Sequence, residues 1–411
     1  MEALVERVCG LDVHKKSVMA CLLVGSAGQR LRKEIRRFET YTLSLVELRR
    51  WLESERCQVV VMESTGIYWK PVYAVLEGVC TLIVGNAYHI KNVPGRKTDV
   101  KDAEWLADLA RHGLVAPSFV PPPAIRELRE LTRYRRKVVE ARSAERNRLL
   151  RLLETANIKL SNVASDVFGV SGMLMLHALV ENRATPSEMA ELAKRGLRKK
   201  LALLTLALDG RLDEGHRYVL KMQLHRLEQA NADIAALDQR IAEKLEPYQA
   251  QVQLLRGIPG IDQALAAVII AELGIDMTVF RSVHHCAAWA GLAPGNHESG
   301  GKHRRETARR GNVHLKTALV EAANAAARTK NTYLRAKFFR LKARRGHMRA
   351  AVAIAHKLLI AAFHMLRKNV GFLELGNDYL DTRAATSRTR TLVRALERMG
   401  YSITLEKKAV A

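Results

Sequence analysis

Over the first 115 residues, short apolar runs of strand length alternate with stretches of helical spacing. Beyond residue 123 helical spacing takes over almost completely. Val8 to Val13 reads as a buried strand ending on Asp12. Lys15 and Lys16 make a turn, and Ser17 to Val24 returns as a second strand. Arg30 to Phe38 is a third strand, and Leu43 to Leu52 has helical spacing. Gln58 to Met62 is a short buried strand with Glu63 at its end. Thr65-Gly66 breaks it, Trp69 to Leu76 is helical, and Cys80 to Val84 is another buried strand. A loop holding Pro94 and Gly95 precedes a helix from Asp99 to Arg111. The order β-β-β-α-β-α-β-α predicts a mixed sheet with helices on its faces.

Pro117 to Pro123 is a stiff connector that marks a domain boundary. Ala124 to Leu160, nearly free of Gly and Pro, carries 11 Lys/Arg and 5 Glu and reads as one long basic helix. Shorter helices fill 162–212, and a second long helix runs from about Gly215 to Leu245. In it Leu220, Leu227, Ile234 and Ile241 fall seven apart. Leu224, Asn231, Asp238 and Leu245 form a second, partly polar column. This is a coiled-coil seam with polar interruptions. It leaves open whether the two long helices pair within the chain or with a second protomer, or join an ordinary bundle. GIPGI, between two helical runs at 254–274, resembles a helix-hairpin-helix whose turn offers N–H groups to a phosphate; a plain connector gives the same pattern. Val320 to Lys368 is helical, with a core helix from His347 to Arg367, and the chain from Gly371 is short-segmented. The expected organisation is an α/β domain over 1–116, a connector and helical coiled-coil region over 117–249, an all-α domain over 250–370 and a tail over 371–411.

Charge sharpens this picture. Residues 1–120 carry 17 Lys/Arg against 14 Asp/Glu, whereas residues 299–350 carry 15 against 2. That local field, half of the chain's formal +25, attracts a polyanion, with nucleic acid first among them. The block lacks the Trp/Phe face of a membrane-surface helix. No apolar run reaches 18 residues and the N-terminus lacks a leader layout, so no membrane partner and a cytoplasmic setting are expected. The five scattered cysteines, without a CxxC pair, read as buried thiols in a reducing compartment. His14, His284, His285 and His303 have no zinc-ligand spacing.

The acids carry the candidate chemistry. A carboxylate in a buried strand is costly unless something pairs with it, and Asp12 and Glu63 both sit in such strands. Asp99 and Asp102, three apart, share one helix face, although each also suits a helix cap or first turn. Were the first and fourth strands neighbours, Asp12 and Glu63 would converge beneath the last helix. Four carboxylates around one point suit Mg²⁺ or Mn²⁺ and phosphodiester chemistry. In the segment 287–316, Gly300 and Gly301 follow Ser299 among Lys302, Arg304, Arg305, Arg309, Arg310 and Lys316. By composition Ser299 is a turn serine; among guanidiniums a serine also suits attack on a phosphate. Arg340, Lys342, Arg344 and Arg345, with Phe338 and Phe339, form a cationic stripe. With Arg133 and Arg136 of the first long helix, these are the expected backbone contacts to nucleic acid.

VCGLDVHKKSV, VVVMESTGIYW and GRKTDVKDAEWLADLAR resemble the three signature segments of the DEDD transposases of bacterial insertion sequences. GLAPGNHESGGK followed by RRGNVHLKTAL resembles their C-terminal transposase segment, with Lys316 where many relatives have arginine. The resemblance implies an RNase H-like N-terminal domain, with Asp12, Glu63, Asp99 and Asp102 as the four metal-binding acids. It implies Ser299 as the nucleophile that becomes linked to DNA, and a composite centre shared between protomers of a dimer or tetramer. It also implies DNA partners at the element ends and target, a structured guide RNA (the bridge RNA), and action at the nucleoid. The alternative is an RNase H-like nuclease or junction resolvase that uses water and leaves Ser299 idle.

Overall fold

A computed structural model describes residues 4–26, 30–64, 66–86, 99–293, 298–299, 302–303 and 311–405, with backbone alone at 99–100, 298–299 and 302–303. The chain divides into two units, one ending at Val120 and one beginning at Pro121.

In the first unit β1 (Arg7–Val13) and β2 (Ser17–Val24) form an antiparallel hairpin, with β3 (Arg32–Glu39) antiparallel on the outer side of β2. The helix α1 (Thr42–Ser54) leads to β4 (Val59–Glu63). The helix α2 (Trp69–Leu76) leads to β5 (Thr81–Gly85), and α3 (Asp99–Arg111) follows. The sheet order is β3-β2-β1-β4-β5, with β1, β4 and β5 mutually parallel. The central strands read as unbroken apolar runs because both faces are covered. Cys9, Leu11, Val60 and Met62 point into a core closed by Leu48 and Leu52 of α1 and Leu76 of α2. Val8, Cys21 and Val61 point the other way, onto Ala103, Leu106, Ala107 and Ala110 of α3. The edge strand β3 is mostly charged and exposed instead, as an unpaired edge should be. The proline connector starts as an extension of this sheet: Ser118 N–H donates to the Val84 carbonyl at 2.8 Å.

Gly10 sets the fit of α3 on the sheet. A Cβ there would lie 2.0 Å from the Ala103 carbonyl oxygen and 2.6 Å from the Ala107 nitrogen. The helix therefore lies with its backbone directly on β1, allowed by a glycine facing two alanines.

The second unit opens on α4 (Pro123–Thr155), with proline at the helix start where no N–H is needed. Four short helices follow: α5 (Leu160–Val163), α6 (Val170–Glu181), α7 (Pro186–Glu191) and α8 (Leu201–Leu208). Then α9 (Glu214–Leu245) runs back along α4, and Asp213 caps its start. The seam Leu220, Leu227, Ile234, Ile241 is buried, and the pairing lies within one chain. Its polar interruptions have partners: Asn231 accepts from Arg142 at 3.3 Å, and Asp238 forms a two-point pair with Arg135. The short helices close the far end of the hairpin around Leu149, Leu153, Met175, Leu204 and Leu224.

The remainder is helical: α10 (Gln249–Arg256), α11 (Gln263–Leu273), α12 (Val283–Trp289), α13 (Val313–Ala326), α14 (Tyr333–Arg345), α15 (His347–Lys368) and α16 (Tyr379–Arg398). Two-residue strands, β6 (Glu298–Ser299) and β7 (Lys302–His303), interrupt it. The helix α15 is the hub, burying Ile354, Leu358, Leu359 and Phe363 against its neighbours. Among the described residues it is the one helix long and apolar enough to cross a membrane, and half of its apolar window is buried in the bundle. In the GIPGI turn Gly260 faces inward: a Cβ would meet Ala322 O and Ala326 N of α13 at 2.5 Å. The tail, read from sequence as short segments, contains the 20-residue α16, which buries none of its residues.

Candidate active site and nucleic-acid interface

The parallel pairing of β1 and β4 runs Val8↔Val59 through Leu11↔Met62, so the next residues, Asp12 and Glu63, stand side by side on neighbouring strands. Alternation puts both on the face covered by α3, in line with Val8 and Gly10 and with Val61. The helix α3 runs antiparallel to β1. Near its far end the Arg111 carbonyl accepts from Leu4 N–H at 2.9 Å, its middle rests on Gly10, and its first turn reaches toward the Asp12 end. Asp99 begins α3 and Asp102 precedes the buried Ala103. The expected neighbourhood of first and fourth strands is therefore present. Among the described residues no three His, Cys, Asp or Glu side chains are grouped closely enough to hold a metal ion, and the Asp99 side chain lies outside that set.

The sequence reading weighed His14 only for zinc-ligand spacing. Its Nε2 lies 3.0 Å from Asp12 Oδ2, with the carboxylate about one-fifth exposed and the imidazole half exposed. The two-residue offset across a turn is a signal that sequence holds only once Asp12 is singled out.

In the second unit Ser299 pairs with Lys302 in the antiparallel β6–β7 ladder; Gly300 and Gly301 lie outside the described residues. Arg304, Arg305, Arg309 and Arg310 lie outside the described residues. Chain enters and leaves this segment at one point. Asn312 N–H donates to the Trp289 carbonyl at 3.0 Å, and Gly311 rests on the backbone of Gly291, where a Cβ would be 2.3 Å from the Gly291 nitrogen. Lys316 sits half-buried in the first turns of α13, beside Leu315.

Next to that point lies Glu272, fully buried on α11. Arg133 grips its carboxylate with two hydrogen bonds of 2.7 and 2.8 Å, and Asn312 Nδ2 donates at 2.6 Å. Arg129 lies 3.3 Å away and donates to the carbonyls of Ala271 and Glu272. Burial pushes the Glu272 carboxyl up, but the hydrogen bonds and charges of Arg133 and Arg129 outweigh it and hold the group below its ordinary value. Sequence reasoning missed Glu272 because it looks like one acid in the apolar run IIAEL.

The expected phosphate contacts fall into two groups. Arg133 and Arg136 are engaged inside the fold, Arg133 with Glu272 and Arg136 with Glu140 and Glu321, so their charges are already matched. In the α14 stripe Phe338 is core, whereas Lys342, Arg344 and Arg345 are exposed. Lys342 stands over the Phe339 ring at 5.7 Å, and Arg340 pairs with Asp381 of α16. Partial burial, then the positive charges of Lys357, Arg344, Arg383 and Arg340, depress the Lys337 ammonium. An unbalanced cluster of cations drawn from α14, α15 and α16 raises the local potential that a phosphodiester backbone relieves.

Comparison with known proteins agrees with both halves. A family model described as a transposase, the DEDD type of IS110 elements, matches residues 9–158, and one described as "Transposase IS116/IS110/IS902 family" matches residues 252–339. The chain is 28% identical over 305 residues to the "Probable family 20 transposase" of Pseudomonas aeruginosa, covering 73% of this chain and 81% of that protein. It is 26% identical over 306 residues to the "Transposase for insertion sequence element IS1111A" of Coxiella burnetii, covering 72% and 74%. A Streptomyces coelicolor protein of insertion element IS110 is 33% identical over 134 residues, 32% of each chain. With one transposase model matching residues 9–158, where the acids end paired parallel strands, and another matching residues 252–339 of the helical second unit, the chain belongs to the IS110-type family of insertion-sequence transposases, which act in DNA transposition and recombination.

Proposed function

We propose that this transposase cuts and rejoins DNA through Ser299, with the carboxylates of Asp12, Glu63, Asp99 and Asp102 holding Mg²⁺ or Mn²⁺. The observation that carries the reading is the side-by-side placement of Asp12 and Glu63 at the ends of paired parallel strands, beneath the helix that begins with Asp99 and Asp102. All-oxygen donors of this kind fit a hard divalent cation, which supplies charge neutralisation at the phosphate. His14 holds the Asp12 carboxylate in one orientation. The Ser299 hydroxyl attacks phosphorus, forming the Oγ–P bond as the bond to one DNA oxygen breaks. That strand leaves with a free hydroxyl, and the serine proton passes to solvent or a neighbouring base. Arg304, Arg305, Arg309 and Arg310 balance charge on the five-coordinate phosphorus. Attack by a second DNA hydroxyl releases the serine and exchanges the strands.

In this reading the exposed cations of α14 hold nucleic acid, a structured guide RNA selects the DNA, and two or four protomers contribute the acidic and serine halves. The domain scheme 1–116, 117–249, 250–370 and 371–411 assigns acids, spacer, serine segment and tail in that order.

The test is covalent trapping. Full-length protein, Mg²⁺, the element's end DNA and co-expressed RNA are run on a denaturing gel beside Ser299→Ala and Asp102→Ala. A protein–DNA band lost in both variants is expected. Cleaved DNA with no linked band, persisting in Ser299→Ala, refutes the serine and leaves a water-using nuclease.

A further inference from the structure

The helix α16 carries little that would hold it helical alone. It buries none of its residues, so no apolar face packs it in place. Thr382, Thr386, Thr389 and Thr391 are weak helix formers, and each turns its hydroxyl back onto the carbonyl four residues earlier, at 2.9 to 3.1 Å. Arg390, Arg394 and Arg398 follow at four-residue intervals, where like charges repel. Five arginines stand against two acids. Asp381 is taken by Arg340 of α14, and Glu397 borders the arginines at the far end.

The arginines share a side. At about 100° per residue, Arg383, Arg390, Arg394 and Arg398 fall within an arc of about 80°, and Leu392 and Leu396 lie opposite. All four arginines are exposed. Arg383 begins this face beside α14: after partial burial, the charges of Lys357, Arg344, Arg383 and Arg340 depress the Lys337 ammonium. Tyr379 packs edge-on against Tyr333 of α14, centroids 5.7 Å apart, and fixes the start of α16 there. The cationic surface of α14 therefore continues onto α16, and from Arg383 to Arg398 it runs for about 22 Å.

Guanidiniums in a row suit successive phosphates, which accept from their planar forks and relieve the repulsion among them. The aromatic ring of the helix is spent on Tyr333, so α16 offers no platform for an unpaired base, as a single strand needs. It has no Trp or Phe, and two leucines make too narrow a face to enter a membrane surface. Neither family match reaches it, the second ending at residue 339.

We infer that α16 is a nucleic-acid grip whose arginine face follows the phosphodiester backbone of a duplex for about six base-pair steps beyond α14. The inference extends the reading that the cations of α14 hold nucleic acid, and is independent of Ser299 and of the metal.

The experiment is the salt dependence of binding by the full-length chain, read by fluorescence anisotropy on a random-sequence DNA duplex, an RNA duplex of the same length and a single DNA strand. Wild type is set beside the combined variant Arg383→Gln, Arg390→Gln, Arg394→Gln and Arg398→Gln, the same four positions changed to lysine, and Arg388→Gln on another side of the helix. A triple variant of α14, Lys342→Gln, Arg344→Gln and Arg345→Gln, tests the parent reading separately. Each phosphate contact carries about 0.9 of the slope of log K against log salt on a duplex and about 0.7 on a single strand. The expected slope of the four-glutamine variant is shallower by about 3 to 4 on a duplex, and whichever duplex shows it is the source. Lysine restores the wild-type slope, and Arg388→Gln leaves it unchanged. An unchanged slope in the four-glutamine variant overturns the inference. So does a loss that lysine does not restore, as a purely structural role requires, or one that Arg388→Gln shares. A loss confined to the single strand overturns the duplex track. Lost binding to phosphatidylserine vesicles with duplex slopes unchanged makes the face a lipid contact and overturns it too. Should the four-glutamine variant fail to fold, Arg390→Gln and Arg394→Gln decide singly, each expected to lower the slope by about 1. A shallower slope in the α14 variant beside an unaffected α16 variant defeats only this inference; unaffected slopes in both defeat the α14 reading with it.

Discussion

Replacing Gly10 by alanine tests how the acidic site is assembled. The added methyl would stand 2.0 Å from the Ala103 oxygen, against the 3.4 Å at which ordinary contact begins. The obstacles are backbone atoms of α3, which cannot swing aside as a side chain would. The helix must retreat by about 1.4 Å, the difference between those two distances. Overpacking of a filled site costs about 1–3 kcal/mol, and obstacles that are all backbone atoms of one helix argue for the upper end. The same retreat carries Asp99 and Asp102 away from Asp12 and Glu63, and a misplacement near 1 Å costs on the order of a hundredfold in rate. Urea unfolding followed by circular dichroism reads the first effect. Cleavage of end DNA, at a temperature where the variant stays folded, reads the second. Gly196→Ala is the control, since a Cβ there meets nothing within 4 Å. If Gly10→Ala unfolds with the wild type and cuts at its rate, α3 does not lie on β1 as described. If stability falls but cleavage does not, α3 does not deliver the aspartates to the reaction.

Two further perturbations probe the scaffold. Ile234→Ala opens a cavity in the buried seam between α4 and α9 and is expected to cost about 2–4 kcal/mol in chemical unfolding; a change below about 1 kcal/mol contradicts the pairing within the chain. Burial pushes the Cys57 thiol up to about 12 and those of Cys21 and Cys80 to about 11, from an ordinary 9.0. Their folded values are raised, so their contribution to stability is whole below pH 9.0 and is lost as pH climbs through 11 to 12. A thiol reagent at pH 8 should therefore label the buried Cys21 and Cys57 only after denaturant is added, and prompt labelling of either in the native protein would contradict their burial.

The first unit was legible in the sequence because its strands are short apolar runs closed by turn residues, and because acids in such runs stand out. The register that sets Asp12 beside Glu63 was not legible; it follows from β4 pairing with β1, a contact some 50 residues apart. The seam of α9 was plain from its seven-residue repeat, but its partner was not, since repeats specify a face and not a mate. Asn231 and Asp238 show why: their partners, Arg142 and Arg135, are ordinary members of a basic helix until the two helices meet. The tail helix α16 escaped notice because it buries none of its side chains, so no apolar stripe of core type marks it. Glu272 escaped for the opposite reason, as a charge concealed in an apolar run whose partners lie 40 and 139 residues away.

The hairpin of α4 and α9 has a length as well as a fold. Arg133 grips Glu272 near one end and Leu149 enters the distal core near the other. At about 1.5 Å per residue those two points stand roughly 24 Å apart along a straight helix. Measured against a duplex at about 3.4 Å per step, that is a ruler of roughly seven base pairs. Its graduations are coarse. The seam repeats every seven residues, so only whole repeats, about 10.5 Å or three base-pair steps, can be added without rotating one end's contacts against the other's. Related chains that differ in hairpin length are therefore expected to differ in quantised steps of reach.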